Sequence, residues 1–182
     1  MTLVFAVSCS DSAPAEPVDA VSRPALDWTD PSGRYGANFE RFGWRLRPDH
    51  RATSIVELVP ERAWRNEAYC ALWEGQRILA PIPQAEANAA MERHTRESAI
   101  SANNTRMDDL EFWHGAVDGI STVEMRFRTD AMFQRWRMFR LSTPTGVILI
   151  HFVCGARRPT TPEQQSQLDA IVDTLRFLPE PP

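Results

Sequence analysis

Apolar residues in the last third of the chain follow two periods in turn. Over residues 121–128, Val123, Met125 and Phe127 alternate with Glu124, Arg126 and Arg128, the period of a half-buried strand. Over residues 134–141, Trp136 and Met138 point one way, and Arg135, Arg137 and Phe139 the other. Thr143-Pro144-Thr145-Gly146 is a turn signal, and residues 147–153 are then almost wholly apolar, as in a central strand covered on both faces. The period then changes. Leu168, Ile171, Val172 and Leu175 recur at i, i+3, i+4 and i+7, the apolar stripe of a helix. Thr161-Pro162-Glu163-Gln164 supplies its start, with threonine at N-cap, proline at N1 and glutamine at N3 for a capping box. The pattern predicts three consecutive strands closed by an amphipathic helix lying on the sheet.

Earlier residues carry weaker signals. Folded structure is expected from about Trp28, with a turn at Asp30-Pro31-Ser32-Gly33. Phe42, Trp44 and Leu46 alternate with Gly43 and Arg45 as a strand, and residues 53–58 offer another. Residues 61–75 are ambiguous. Trp64, Ala68, Ala71 and Leu72 share a helical face with Gly75 at C′, the favoured reading, while residues 69–73 equally suit a buried strand. Pro83 fits a first helical position, and residues 84–100 carry Glu92–Arg96 and Arg93–Glu97 pairs at i, i+4. The stripe Ala87, Ala90, Met91 is thin, so this helix should ride on the domain surface, and His94 extends the stripe as a packed rather than a ligating histidine. Leu110, Phe112 and His114 then alternate with Glu111 and Trp113, and residues 115–119 read as a loop ending in the tight reversal Asp118-Gly119. The fold class is α+β: an antiparallel β-sheet flanked by helices, with the C-terminal amphipathic helix packed on it.

Composition narrows the function classes. A chain of 182 residues has room for one domain, residues 28–182, after a signal-like segment and flexible tether over residues 1–27. Its formal charge of −4 gives no general attraction to nucleic acid or anionic membrane, and no apolar run approaches the roughly 20 residues of a membrane helix. All 20 basic residues are arginine. GC-rich coding explains that without function; bidentate anion recognition is the functional alternative. Leu3, Val4, Phe5, Ala6 and Val7 lead to Ser8-Cys9 and then to a polar, proline-rich stretch. This arrangement resembles a bacterial lipoprotein signal, which makes Cys9 the lipidation candidate and implies a lipid anchor as the sole membrane contact. Ala6 stands where the lipobox usually has leucine, and the apolar run is short and lacks a preceding basic residue. A start assigned too far downstream explains those last two features; a plain N-terminal tail is the alternative. With Cys9 lipidated, Cys70 and Cys154 remain as a pair, either a disulfide in an oxidising compartment or two small buried hydrophobes.

The element order and the ending Leu168-Asp169-Ala170-Ile171-Val172-Asp173-Thr174-Leu175-Arg176-Phe177 resemble the PsbP-like superfamily. Specific similarity is confined to the last strand and helix, which form a packing motif. The resemblance implies a sheet flanked by helices and a binding module rather than an enzyme, and it transfers no functional residue.

Two constellations bear on chemistry. Asp108, Asp109 and Glu111 near His114 are the one acid–base candidate, with Asp109 and Glu111 expected on one strand face and Asp108 and His114 on the other. An exposed acidic strand start accounts for them without catalysis. No phosphate-cradling glycine loop, nucleophile elbow or metal-spaced ligand set occurs, so no cofactor or metal is expected. The second constellation is Arg126, Arg128, Arg135 and Arg137 on one sheet face. A register setting Met125 and Phe127 opposite Met138 and Trp136 puts Arg126 beside Arg137 and Arg128 beside Arg135. Such a face suits an anionic ligand or acidic protein partner, unless Glu124 and acidic residues of a neighbouring helix neutralise it. Charge reversal at Arg126 and Arg137 separates the two, since an open site loses its partner and keeps its stability. The expected function is a non-catalytic binding or adaptor module of the bacterial envelope, lipid-anchored in the periplasm. A cytosolic chaperone or adaptor with reduced cysteines comes second, and a small hydrolase third.

Overall fold

The apolar run after Gly146 becomes β9 (Gly146–Arg157), and everything else is arranged around it. The computed structural model describes residues 25–48, 54–61, 67–102 and 108–178, with backbone alone at 76, 94–102 and 108–109. Cys9 and residues 1–24 of the signal-like segment and tether lie outside the described residues, and so does the His94 side chain. β9 is the middle strand of an antiparallel seven-stranded sheet in the order β3-β4-β5-β9-β8-β7-β6. Its neighbours are β5 (Ala68–Ile78) and β8 (Met132–Thr143). Outside them lie β4 (Ser54–Pro60) and β3 (Trp44–Leu46) on one side, and β7 (Ile120–Arg128) and β6 (Asp108–Val117) on the other. A small second sheet joins β1 (Trp28–Thr29), β2 (Tyr35–Ala37) and β10 (Arg176–Phe177). Tyr35 and Phe177 both pack edge-on against Phe139, which ties the small sheet to the main core.

Each sheet face takes one helix. The capping box of α2 (Pro162–Val172) forms as its sequence predicts: Gln164 N–H donates to the Thr161 hydroxyl, and Thr161 N–H to the Gln164 side chain. Leu168, Ile171, Val172 and Leu175 are fully buried against Leu72, Phe139 and Phe152 in the larger core. On the opposite face, α1 (Gln84–Ala102) buries Ala87 and Met91, and Met91 meets Val123 and Met138 in a second, smaller core. The thin stripe limits how much α1 can cover, and among the described residues it lies chiefly over β7 and β8, with β6 beside them.

The structure corrects four local expectations. Trp64 lies outside the described residues, but over 68–75 the favoured helix gives way to β5, because strand alternation buries Cys70 and Leu72 completely and hydrogen bonds to β4 and β9 satisfy the backbone on both sides. Gly75 caps nothing; it adjoins a bulge between Glu74 and Arg77, where a Cβ would meet His151 Nε2 at 2.7 Å. Phe42 belongs to a 3-10 turn (Glu40–Phe42) that Gly43 ends in a left-handed conformation, so the strand starts only at Trp44. Residues 115–117 extend β6 instead of forming a loop, and Asp118 and Gly119, at φ of 46° and 80°, make the two-residue hairpin. The fourth correction, the β7–β8 register, belongs to the arginine face.

Cys70 and Cys154 stand opposite one another on β5 and β9 and are joined by a disulfide, though they are 84 positions apart in sequence.

Ile171→Ala should cost about 2–5 kcal/mol, because a fully buried side chain leaves a cavity between α2 and the sheet. A urea titration should show a lower midpoint at unchanged m, and Leu175→Asp should yield no folded protein at all. An unchanged midpoint for Ile171→Ala refutes this packing.

Candidate functional site

Alternation along β7 and β8 sends Glu124, Arg126 and Arg128, together with Phe133, Arg135, Arg137 and Phe139, to the face that α2 covers. The expected parity is right, but the register differs by two residues. Arg137 stands opposite Glu124, Arg135 opposite Arg126, and Phe133 opposite Arg128. One like-charge pair therefore remains directly opposed, Arg126 and Arg135, which is unfavourable without a counter-ion.

The counter-ions come from α2 and from β7 itself. Arg126 Nη2 donates to Asp169 Oδ2 at 2.6 Å, and Arg135 Nε stands 3.3 Å from the other oxygen of that carboxylate. Glu124 is 2 % exposed. Its Oε1 accepts from Arg137 Nε at 2.6 Å and from the Thr122 hydroxyl at 2.7 Å, while Arg135 Nη2 lies 2.7 Å from Oε2. Arg137 also donates to the Val172 carbonyl at 2.8 Å and to Asp173 Oδ1 at 2.9 Å, capping the C-terminal end of α2 with a cation. Arg128 donates to the Gln165 side chain at 3.2 Å.

Gln165, Asp169 and Asp173 are spaced i, i+4 and i+8, so they form a polar stripe beside the apolar one and meet the arginine row rung by rung. That spacing was readable in the sequence. Which arginine meets which rung was not, because it depends on the β7–β8 register.

Arg126, Arg128, Arg135 and Arg137 thus do not form an open anion site. The geometry fits the neutralised alternative: α2 covers the row, leaving Arg135 and Arg137 only 3 % and 7 % exposed, and supplies carboxylates beside Glu124. At the outer margin, Arg126 Nη1 reaches Glu111 on β6 at 3.0 Å, and the Arg135 guanidinium lies 4.7 Å from the centre of the Trp113 ring. Trp113 and the Glu111 carboxylate face solvent there.

Of the acid–base constellation, Glu111 and His114 lie on opposite faces of β6, as the alternation implies. A bulge falls between Asp108, paired with Arg128, and Glu111, paired with Arg126, so alternation does not carry through the start of β6. Glu111 points to the α2 side with Arg126, and His114, an odd number of residues away, points to the α1 side. The side chains of Asp108 and Asp109 lie outside the described residues. Among the described residues, no group of three or more histidine, cysteine or acidic side chains is placed to hold a metal, and no helix is long and apolar enough to cross a membrane.

No family model matches the chain, and no curated protein matches it in sequence. Solved structures do. The chain is similar in fold to LpqN, a protein involved in cell envelope biogenesis of Mycobacterium tuberculosis. The TM-score is 0.51 at 10 % identity, over 75 % of this chain and 79 % of LpqN. Another is the cyanobacterial PsbP (CyanoP) of Synechocystis sp. PCC 6803, with TM-score 0.49 and 12 % identity over 91 % of this chain and 100 % of that one. At such identity the likeness to LpqN concerns the fold alone.

Glu124→Gln should destabilise the protein by about 3–5 kcal/mol, since it leaves two buried guanidinium groups short of a counter-charge. Arg126→Gln should cost less, about 1–2 kcal/mol, because the Arg126 side chain is a third exposed and Arg135 stays beside Asp169 when it is removed. Equal effects in urea unfolding contradict this ranking.

Burial raises the Asp169 carboxyl above its ordinary pKa, against the opposing pull of Arg126 and Arg135. The folded chain therefore holds the Asp169 proton more tightly than the unfolded chain does. Asp169 adds stability below its unfolded pKa and loses that contribution as pH rises through its folded value. Compared with Asp169→Asn, the native protein should become relatively more stable as pH falls through that window. Parallel stability–pH curves contradict it.

Proposed function

We propose that the protein is a non-catalytic binding or adaptor module of the bacterial cell envelope, lipid-anchored through Cys9. The observation that carries this reading is the disulfide between Cys70 and Cys154 on the two strands at the middle of the sheet. Such a bond persists in an oxidising compartment and is rare in a reducing cytosol. It also leaves Cys9, after its short apolar run, as the odd cysteine of three. The cytosolic reading requires both core cysteines to stay reduced, so the same pair weighs against it.

The non-catalytic part rests on how the charged groups are engaged. The arginines best suited to an anionic substrate face inward onto Glu124, Asp169 and Asp173. Glu111, from the acid–base candidate, is paired to Arg126.

Intact mass and membrane fractionation of the protein, expressed in its native host from the genomic locus, test the proposal. The expected product is membrane-associated, begins at a diacylated Cys9, and gains mass on reduction as the core disulfide opens. Soluble, unmodified protein that retains Met1 and carries free thiols overturns it.

A further inference from the structure

The disulfide shares one rung of the sheet with the charge cluster. Leu58, Cys70, Cys154, Arg135 and Arg126 stand opposite one another in turn across β4, β5, β9, β8 and β7. Asp169 of α2 holds Arg135 at 3.3 Å, so α2 crosses the sheet at this rung. Leu168, the residue before it, is fully buried in the core that contains both cysteines. Gln167 ties α2 to the Phe42 carbonyl at 2.8 Å, beside Phe39 and Trp44 of the same core. Both cysteines are 0 % exposed beneath this cover.

Such a bond cannot be made or broken where it lies. Thiol–disulfide exchange passes through a mixed disulfide, in which a foreign sulfur is bonded to one cysteine. A core packed to native density has no room for that sulfur and the molecule behind it. The sheet has to be paired, however, because only β5 and β9 in register bring together residues 84 positions apart. α2 follows every strand of the main sheet in the chain, so that sheet is complete without it. With α2 away, Arg135 and Arg137 keep Glu124 as a counter-ion within the sheet, and the uncovered row gains water.

We infer that Cys70 and Cys154 are oxidised while the sheet is paired and α2 is undocked, and that α2 is the lid that then seals the bond. The reaction required is a dithiol oxidation by a disulfide-bearing oxidant. The thiolate of one cysteine attacks the oxidant's disulfide and expels one of its sulfurs as a thiolate. The second cysteine's thiolate then attacks the first cysteine's sulfur, forming the Cys70–Cys154 bond and expelling the oxidant's other sulfur. Two electrons pass to the oxidant, which leaves as a dithiol with the two protons that the cysteines gave up. This inference rests on the same bond as the envelope reading, and adds the reaction class and the state of the chain on which it acts.

Exchange follows the same path in both directions, so reduction of the native bond reads the same opening. Dithiothreitol is the probe, added to the full chain without denaturant, at concentrations where the rate is proportional to thiol. Mass after alkylation reads the reduced fraction, two alkyl groups being gained for each bond opened. Reduction should be at least about a hundredfold slower than in the urea-unfolded chain. Ile171→Ala, on the face that α2 lays on the sheet, should speed it at least about tenfold. Met91→Ala, in the core on the opposite face, should change it by less than about threefold. Small additions of urea should raise the rate with a slope well below the equilibrium m, because lifting one helix exposes less surface than unfolding the chain.

Four results overturn the inference. They are reduction as fast as in the unfolded chain, no acceleration by Ile171→Ala, equal acceleration by Ile171→Ala and Met91→Ala, or a urea slope equal to m. The urea series needs no variant, so it decides the matter even if Ile171→Ala folds poorly. Absence of the bond in the untreated protein removes the envelope reading as well, whereas unfavourable rates overturn the lid and leave that reading standing.

Discussion

A carboxylate as buried as Glu124 has to be matched with cations, or the sheet surface beneath α2 cannot lose its water. Desolvating a charge without a partner costs several kcal/mol, more than most single contacts return. Arg135 and Arg137 provide the match from the adjacent strand, and each brings a charge that must in turn be satisfied. Asp169 and Asp173 do this from the helix, and the Val172 carbonyl takes a further proton of Arg137. The chain of requirements runs from β7 through β8 to α2. The closing helix therefore completes the sheet electrostatically as well as covering its apolar side chains. It also explains Gly115 on β6, which makes room for Glu124 and leaves the edge strand with a gap.

The two faces divide the work unequally. The α2 face holds the larger core, the disulfide-linked pair of strands and the charge cluster; the α1 face holds a small core around Met91. Charged groups turned inward in this way are poor candidates for chemistry on an outside molecule, because using them means first breaking the pairs that hold α2.

Most of what the sequence revealed was local. The capping box, the stripe of α2, the Asp118-Gly119 reversal and the alternation on β7 and β8 each depend on residues a few positions apart, and each appears in the structure. What it hid depends on pairing across the chain. Residues 69–73 suit a helix or a strand equally until β4 and β9 are there to bond them on both sides. The β7–β8 register could slide by two residues without changing which face any side chain occupies, so parity was legible and partner identity was not. The arginine row was visible for the same reason, while its purpose depended on the stripe Gln165, Asp169, Asp173 meeting it from a distant segment. The bulge in β6 also left no mark in the alternation, because bulges answer to the neighbouring strand.

Stability alone is a weak reason for a charge ladder under a helix. The raised pKa of Asp169 means that burial weakens its ionised form more than two arginines strengthen it, and well-packed apolar residues often stabilise such positions better. Position is a better account. Apolar stripes tolerate more than one packing, because any well-filled contact removes water equally well. A ladder of charges does not. Sliding α2 by one turn along the sheet would bring Gln165 to the Arg126 rung and Asp169 toward the Arg137 rung, taking Gln165 from Arg128 and leaving Arg126 with a neutral amide. Each displaced pair is a buried cost, so the native placement is separated from its neighbours by a gap that the apolar stripe by itself does not provide. The same placement keeps Trp113 braced by Arg135 at the rim, which links the position of the helix to the shape of the open edge.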